Sequence, residues 1–179
     1  LDILQEVSRR HTLAIHHTVT TIDPRLARIL EPRAPRPDLR IAALAQLRAA
    51  GLRAGVMCCP LMPGITDSRR SIAAVAKAAS DAGASFFHAN PLFLKPCSLP
   101  IFFDFVGRHF PEQLESYKRR YTASAFVSPE YSRRMRDLVH SICREYKLGD
   151  RYEENDAPLK PGPASEAQPL LPFSGEISA

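Results

Sequence analysis

A chain of 179 residues with 45% hydrophobic and 24% charged residues has the length and composition of one globular domain with a real core. No apolar run approaches the ~20 residues of a membrane span, and Asp2, Glu6, Arg9 and Arg10 interrupt any signal-peptide core at the start. A net charge of +5 and a pI near 9.2 permit a polyanionic partner without requiring one.

Leu1, Leu4 and Val7 share one face, so residues 1–10 read as the end of an amphipathic helix. Leu1 is not an initiator methionine, and the chain is expected to be a piece of something longer. Residues 12–19 are β-branched and aliphatic and read as a strand. Asp23 followed by Pro24 suits an N-cap and first helical position, which predicts a short helix over 25–30. Pro32, Pro35 and Pro37 then forbid regular structure before a longer helix over about 38–50, with Ile41, Leu44 and Leu47 inward.

The stretch from Gly51 to Asp67 organises the rest. Gly51 can stop a helix in the left-handed conformation, residues 52–59 read as a buried strand, and Pro60, Pro63 and Gly64 must turn. Asp67 or Ser68 can cap the next helix, over 71–82, whose inward face is Ile72, Val75, Ala76 and Ala79. Gly83 closes that helix, and residues 84–89 read as a third strand broken by Asn90 and Pro91. This β-α-β-α-β order predicts a parallel sheet, whose ligands bind at the loops after the strands.

Beyond residue 94 the chain turns helical. A phenylalanine-rich helix is expected over 99–110 and another from Pro111 to about Tyr121. A strongly amphipathic helix opens at Pro129, with Tyr131, Met135, Leu138, Val139, Ile142 and Tyr146 in one stripe. The organisation expected is three βα units over 1–95, a helical region over 96–152 and a disordered Pro/Ser/Glu-rich tail over 153–179.

Candidate chemistry gathers at the strand ends. Thr18, Thr20 and Thr21 offer hydroxyls for a ribose or carboxylate, although threonine is also simply a good strand and turn residue. His16 and His17 are adjacent on a strand and so point to opposite faces, which argues against a shared metal. Cys58 and Cys59 alternate likewise and read as small buried hydrophobes. With Cys97 and Cys143 they form no CxxC pair, so a reducing, cytoplasmic setting is expected. Asp23 and Asp67 read as helix caps. Arg33, Arg36 and Arg40 beside the proline loop suit a carboxylate or phosphate, or else make surface ion pairs. The last helix's arginines with Tyr131 and Tyr146 can meet nucleic acid, or form the wet side of a packed helix.

Three pieces together resemble radical SAM proteins of the spore photoproduct lyase-like group. They are Thr18-Val-Thr-Thr-Ile-Asp23, Glu31-Pro-Arg-Ala-Pro-Arg-Pro-Asp-Leu-Arg40 and Gly51 to Asp67, with Ser141-Ile-Cys-Arg-Glu-Tyr-Lys-Leu148 similar to that group's C-terminal helix. The resemblance covers roughly residues 1–150. It implies a partial (β/α)6 barrel of TIM type, of which this chain would be the C-terminal half. It further implies S-adenosylmethionine (SAM) bound at the strand ends beside a [4Fe-4S] cluster. Thr18, Thr20, Pro63, Gly64 and Asn90 would then lie against SAM. The group's CxxxCxxC cluster loop is absent from this sequence, so no metal ligand is assigned here and a missing N-terminal half is the expected partner. Carried to substrate, the resemblance points to DNA lesions and lyase chemistry. The alternative reading is a non-catalytic basic module that binds nucleic acid or a protein partner through the helix after Pro129.

Overall fold

The computed structural model describes residues 1–149; the expected tail over 153–179 lies outside the described residues. In chain order the elements are α1 (Asp2–Arg10), β1 (Ile15–Thr18), α2 (Pro24–Leu30), α3 (Pro37–Ala49), β2 (Ala54–Met57), α4 (Arg69–Asp81) and β3 (Phe87–His88). There follow α5 (Leu99–His109), α6 (Leu114–Tyr121) and α7 (Pro129–Glu145), with 3₁₀ turns at Pro96–Ser98 and Pro111–Gln113.

The strands form one parallel sheet in the order β1-β2-β3. Thr18 stands opposite Met57, and Met57 opposite His88. Three strands do not close a barrel. β3 is shorter than the expected 84–89, yet its pairing to β2 continues on both sides. Ser85 N donates to Ala54 O at 2.8 Å, and Leu61 N to Asn90 O at 2.7 Å beyond the cis Cys59–Pro60 bond. On the far side of β3, Phe87 N donates to Gly149 O at 3.1 Å.

Helix ends follow side-chain chemistry. Asp23 Oδ1 accepts from Arg25 N and Leu26 N at 2.8 and 3.3 Å, with Pro24 in the first turn. Gly51 takes φ +80° after α3, and Leu52 N bonds back to Leu47 O at 3.1 Å. Ser68 caps α4 by accepting from Ser71 N at 3.1 Å. Asp67, expected as a cap, does other work. Its Oδ1 accepts from Gly64 N at 2.9 Å and its Oδ2 from Tyr131 OH at 2.6 Å.

α3 and α4 cover one face of the sheet. Leu44 and Leu47 of α3 and Ile72, Val75, Ala76 and Ala79 of α4 are buried with Ala54, Val56 and Cys58. The same core continues into Tyr117 and Tyr121 of α6 and Tyr131, Met135, Val139 and Ile142 of α7. Each large aliphatic side chain so buried stabilises the fold by roughly 1.5–3 kcal/mol. The N-terminal side is less complete. Among the described residues β1 has a strand neighbour on one side only. Helix α1 buries no residue; Leu1, Ile3 and Val7 are exposed, while Leu4 packs on the core.

Candidate functional site

Strand alternation sorts the sheet into two faces. Ile15, His17, Ala54, Val56 and Phe87 point toward the helices. Residues in register with them by one step, His16, Thr18, Gly55, Met57, Phe86 and His88, point the other way. That second face carries the polar groups. Thr18, Met57 and His88 form one row across all three strands at the end where the chain leaves the sheet. Beyond it, Asn90 Nδ2 lies 2.9 Å from His88 Nε2, and Asn90 N donates to Cys59 Sγ at 3.1 Å. A hydroxyl, a thioether, an imidazole and a carboxamide thus share one rim. In open α/β sheets that rim is where ligands are held.

Phe86 secures the face. It is fully buried and lies across Gly55, whose place in the sheet leaves no room for a side chain. The His16 ring meets Phe86 at 4.8 Å between centroids, and the Arg53 guanidinium lies 5.1 Å from the same ring.

The end of β1 is held by a charged brace. Arg40 Nη1 donates to Thr18 O at 2.6 Å and to Glu31 Oε2 at 3.2 Å, while Arg40 Nε donates to Pro35 O at 2.9 Å. Thr20 Oγ1 donates to Glu31 Oε2 at 3.0 Å. Arg36 in turn is forked onto Asp38. Of the two sequence readings of Arg36 and Arg40, an anion site or ion pairs within the chain, the structure shows the second, and the proline loop is a strut. Arg40→Leu is expected to lower stability by about 2 kcal/mol, because Glu31 and Thr18 O lose a charged donor in a half-buried place. Urea denaturation checks this.

His17 sits on the helix side behind that brace. Burial, and then the positive charge of Arg40, lower its pKa below the ordinary histidine value. The unfolded chain therefore takes a proton first as pH falls. Stability is complete above the ordinary histidine range and declines below about pH 6.5. The thermal midpoint of His17→Gln is expected to change less over this range than that of the parent.

The loop after β2 is fixed from both sides. Met62 N donates to Thr66 Oγ1 at 2.8 Å inside the core. Asp67 joins Gly64 to Tyr131 of α7, and Tyr121 OH of α6 donates to Leu92 O at 2.9 Å in the loop after β3. Burial, then the bond to Asp67, push the Tyr131 phenol pKa up.

These contacts divide the residues named from sequence. Asn90 lies beside His88, and Thr18 shares their rim two strands away, with Met57 between. Thr20 is buried and spent on Glu31, Pro63 is buried, and Gly64 lies against Gln113 of the 3₁₀ turn before α6. Met57 and His88 were missed, because a lone methionine and histidine in short strands carry no local signal. Tyr131 is buried and bonded to Asp67, so it offers no aromatic surface to a partner.

The chain has relatives in mycobacteria. An uncharacterized protein of Mycobacterium tuberculosis (strain ATCC 25618 / H37Rv) is 26% identical over 177 residues, which is 99% of this chain and 50% of the relative. An uncharacterized protein of Mycobacterium bovis matches with the same figures. An uncharacterized protein of Acidianus two-tailed virus is 35% identical over 63 residues, 35% of this chain and 20% of that protein. The chain thus spans about half the length of the mycobacterial relatives it matches. No family model matches the chain, and no solved structure matches it significantly.

The cysteines are dispersed. Cys58 is buried on the helix side, where burial and then Cys59 push its thiol pKa up. Cys59 belongs to the rim, Cys97 is exposed in a 3₁₀ turn, and Cys143 of α7 lies 3.8 Å from Phe87 O. Among the described residues no three His, Cys, Asp or Glu side chains converge on a point that can hold a metal. The described residues therefore do not fit an iron–sulfur cluster. The rim of Thr18, His88 and Asn90 offers hydroxyl, imidazole and carboxamide groups that can donate and accept hydrogen bonds. Among the described residues no helix is long and apolar enough to cross a membrane.

Proposed function

We propose that this chain is the C-terminal half of a radical SAM protein similar to the spore photoproduct lyase-like group, working in the reducing cytoplasm. In this reading β1, β2 and β3 are three neighbouring strands of a partial (β/α)6 barrel. The observation that carries it is the parallel sheet itself. It is covered by helices on one face and polar at the strand ends on the other, and its first strand has an edge without a partner among the described residues. The exposed apolar residues of α1 support a further half on that side, and mycobacterial relatives of twice the length are consistent with a longer protein.

Within that protein, Thr18 Oγ1 and the Asn90 carboxamide would hold the ribose and adenine of SAM by hydrogen bonds. His88, beside Asn90, would fix the orientation of that carboxamide. Arg40 would hold the backbone end of β1, and with it Thr18, in place. When bound beside a reduced cluster, SAM supplies hydrogen-abstracting radical chemistry; no step of it is assigned to a cysteine of this chain. The reading is tested by reconstituting the longer protein and this chain separately with iron and sulfide. A stoichiometric [4Fe-4S] absorption spectrum is expected for the longer protein and not for the chain. A site-specific cluster in the chain by itself contradicts the division into halves.

A further inference from the structure

Two phenylalanines stand out from the loops that follow β3 and α6. Phe93 is 55% exposed and Phe126 is 66% exposed. Their rings stack at 5.9 Å between centroids with 24° between planes. Their chain neighbours Leu92, Leu94 and Val127 are buried. The backbone between these neighbours is pinned. Leu92 N donates to Leu61 O at 2.9 Å, Leu94 N to Ala125 O at 2.8 Å, and Tyr121 OH to Leu92 O at 2.9 Å. The fold itself therefore sets both rings outward. It keeps in water an aromatic surface that burial would favour.

Charge of one sign accompanies the pair. The last two of those bonds join residues 93–101 to residues 118–126. Together the two segments contain Lys95, Lys118, Arg119 and Arg120 and no Asp or Glu. All four cations are exposed. Lys118 is held by Glu115, and Arg120 lies over the Tyr131 ring. Lys95 and Arg119 have no charged partner among the described residues. Lys95 follows Phe93 by two residues, at most about 7 Å along the backbone. Arg119 is two residues before Tyr121, whose hydroxyl meets the carbonyl next to Phe93. Of the acids that flank the segments in sequence, Asp104 is held by Arg108 and Glu115 by Lys118, which leaves Glu130 of α7.

We infer that Phe93 and Phe126 form a membrane-docking point, whose stacked rings enter the interface of an anionic lipid surface while Lys95 and Arg119 meet its headgroups. Phenylalanine enters the boundary between headgroups and acyl chains, and neighbouring cations add attraction to anionic lipid. The two signals together give a reversible attachment that neither gives alone. A specific protein interface buries on the order of 1,000 Å² or more, far beyond two side chains. Neither phenylalanine lines the cleft beside α7 or the cavity between α2 and α3, so the pair has no such hollow for a partner's side chain. A fluid bilayer needs neither the area nor the hollow. A second copy of this chain, docked ring pair to ring pair, would set like charges against each other. Attachment here requires neither SAM nor a cluster, so its failure would leave the reading above standing.

The test is co-sedimentation of the full 179-residue chain with two kinds of vesicle, phosphatidylcholine alone and phosphatidylcholine mixed with phosphatidylglycerol in equal parts. Binding is expected to the mixed vesicles and not to the neutral ones, and it should weaken as salt is raised. Phe93→Ser/Phe126→Ser should weaken it about tenfold or more and leave its salt dependence in place. Lys95→Gln/Arg119→Gln should weaken it about thirtyfold at low salt. Arg25→Gln/Arg33→Gln is the matched control. It removes the same charge from exposed positions beside β1, the opposite edge of the sheet, and should weaken binding about twofold at most. A far-UV circular dichroism spectrum equal to the parent's verifies the fold of each variant. Absence of binding to the mixed vesicles overturns the inference. Binding that the phenylalanine variant retains, or that the control weakens as much as Lys95→Gln/Arg119→Gln, also overturns it, because net positive charge alone would then account for the attachment. A dimer in sedimentation velocity that the phenylalanine variant abolishes overturns it in favour of a second copy.

Discussion

Gly55→Ala is expected to destabilise the protein by about 3–5 kcal/mol, or to prevent folding, when measured by urea denaturation. A methyl group at this position would lie 2.4 Å from Phe86 O and 2.5 Å from the Phe86 ring. The carbonyl contact is the decisive one, because Phe86 O is the acceptor for Val56 N across the β2–β3 ladder. Relief requires the strands to separate or Phe86 to leave its place. Either route uncovers a fully buried aromatic ring and unseats His16 and Arg53 from it. Gly107→Ala is the matched control. A methyl there meets Leu114 Cδ2 at an ordinary 3.5 Å inside α5, and it should stabilise by roughly 0.5–1 kcal/mol.

Asp67→Ala is expected to cost about 3 kcal/mol. It strands the half-buried Tyr131 hydroxyl and frees Gly64 N together, and hydrogen bonds to a charged group contribute roughly 1.5–3 kcal/mol each. Tyr131→Phe removes only the 2.6 Å bond to Asp67 and should cost about 1.5 kcal/mol. In the double variant the Tyr131 hydroxyl is absent and no longer stranded, so its loss should fall short of the sum of the singles by about 1 kcal/mol. Strict additivity would mean that the loop after β2 and helix α7 are not coupled through this carboxylate.

The elements with strong periodicity could be read from sequence because their physics is local. Ile72, Val75, Ala76 and Ala79 recur at helical spacing and are buried together, and Asp23-Pro24 caps α2. The parallel sheet followed from strands separated by amphipathic helices. What sequence left out depends on contacts between distant residues. Asp67 looks like a cap because it precedes a helix; its partner Tyr131 is 64 positions away and nothing local announces it. Arg36 and Arg40 read equally as an anion site or as ion pairs until the fold brings Thr18 O, 22 positions away, onto Arg40. Of the candidate site, Thr18 and Asn90 were legible as strand-end polar residues. Their neighbour His88 emerged only when register set it beside Met57.

The central claim is that this chain supplies the SAM-facing half of a barrel whose cluster is ligated elsewhere. The most direct measurement is formation of 5′-deoxyadenosine after anaerobic reconstitution, dithionite reduction and addition of SAM. The longer protein should form it, Thr18→Val in that protein should form it more slowly with a raised KM for SAM, and the purified 179-residue chain should form none. Three thiolates must converge to hold such a cluster, and among the described residues no three of Cys58, Cys59, Cys97 and Cys143 do. Production of 5′-deoxyadenosine by the 179-residue chain alone, or its absence from the reconstituted longer protein, contradicts the account.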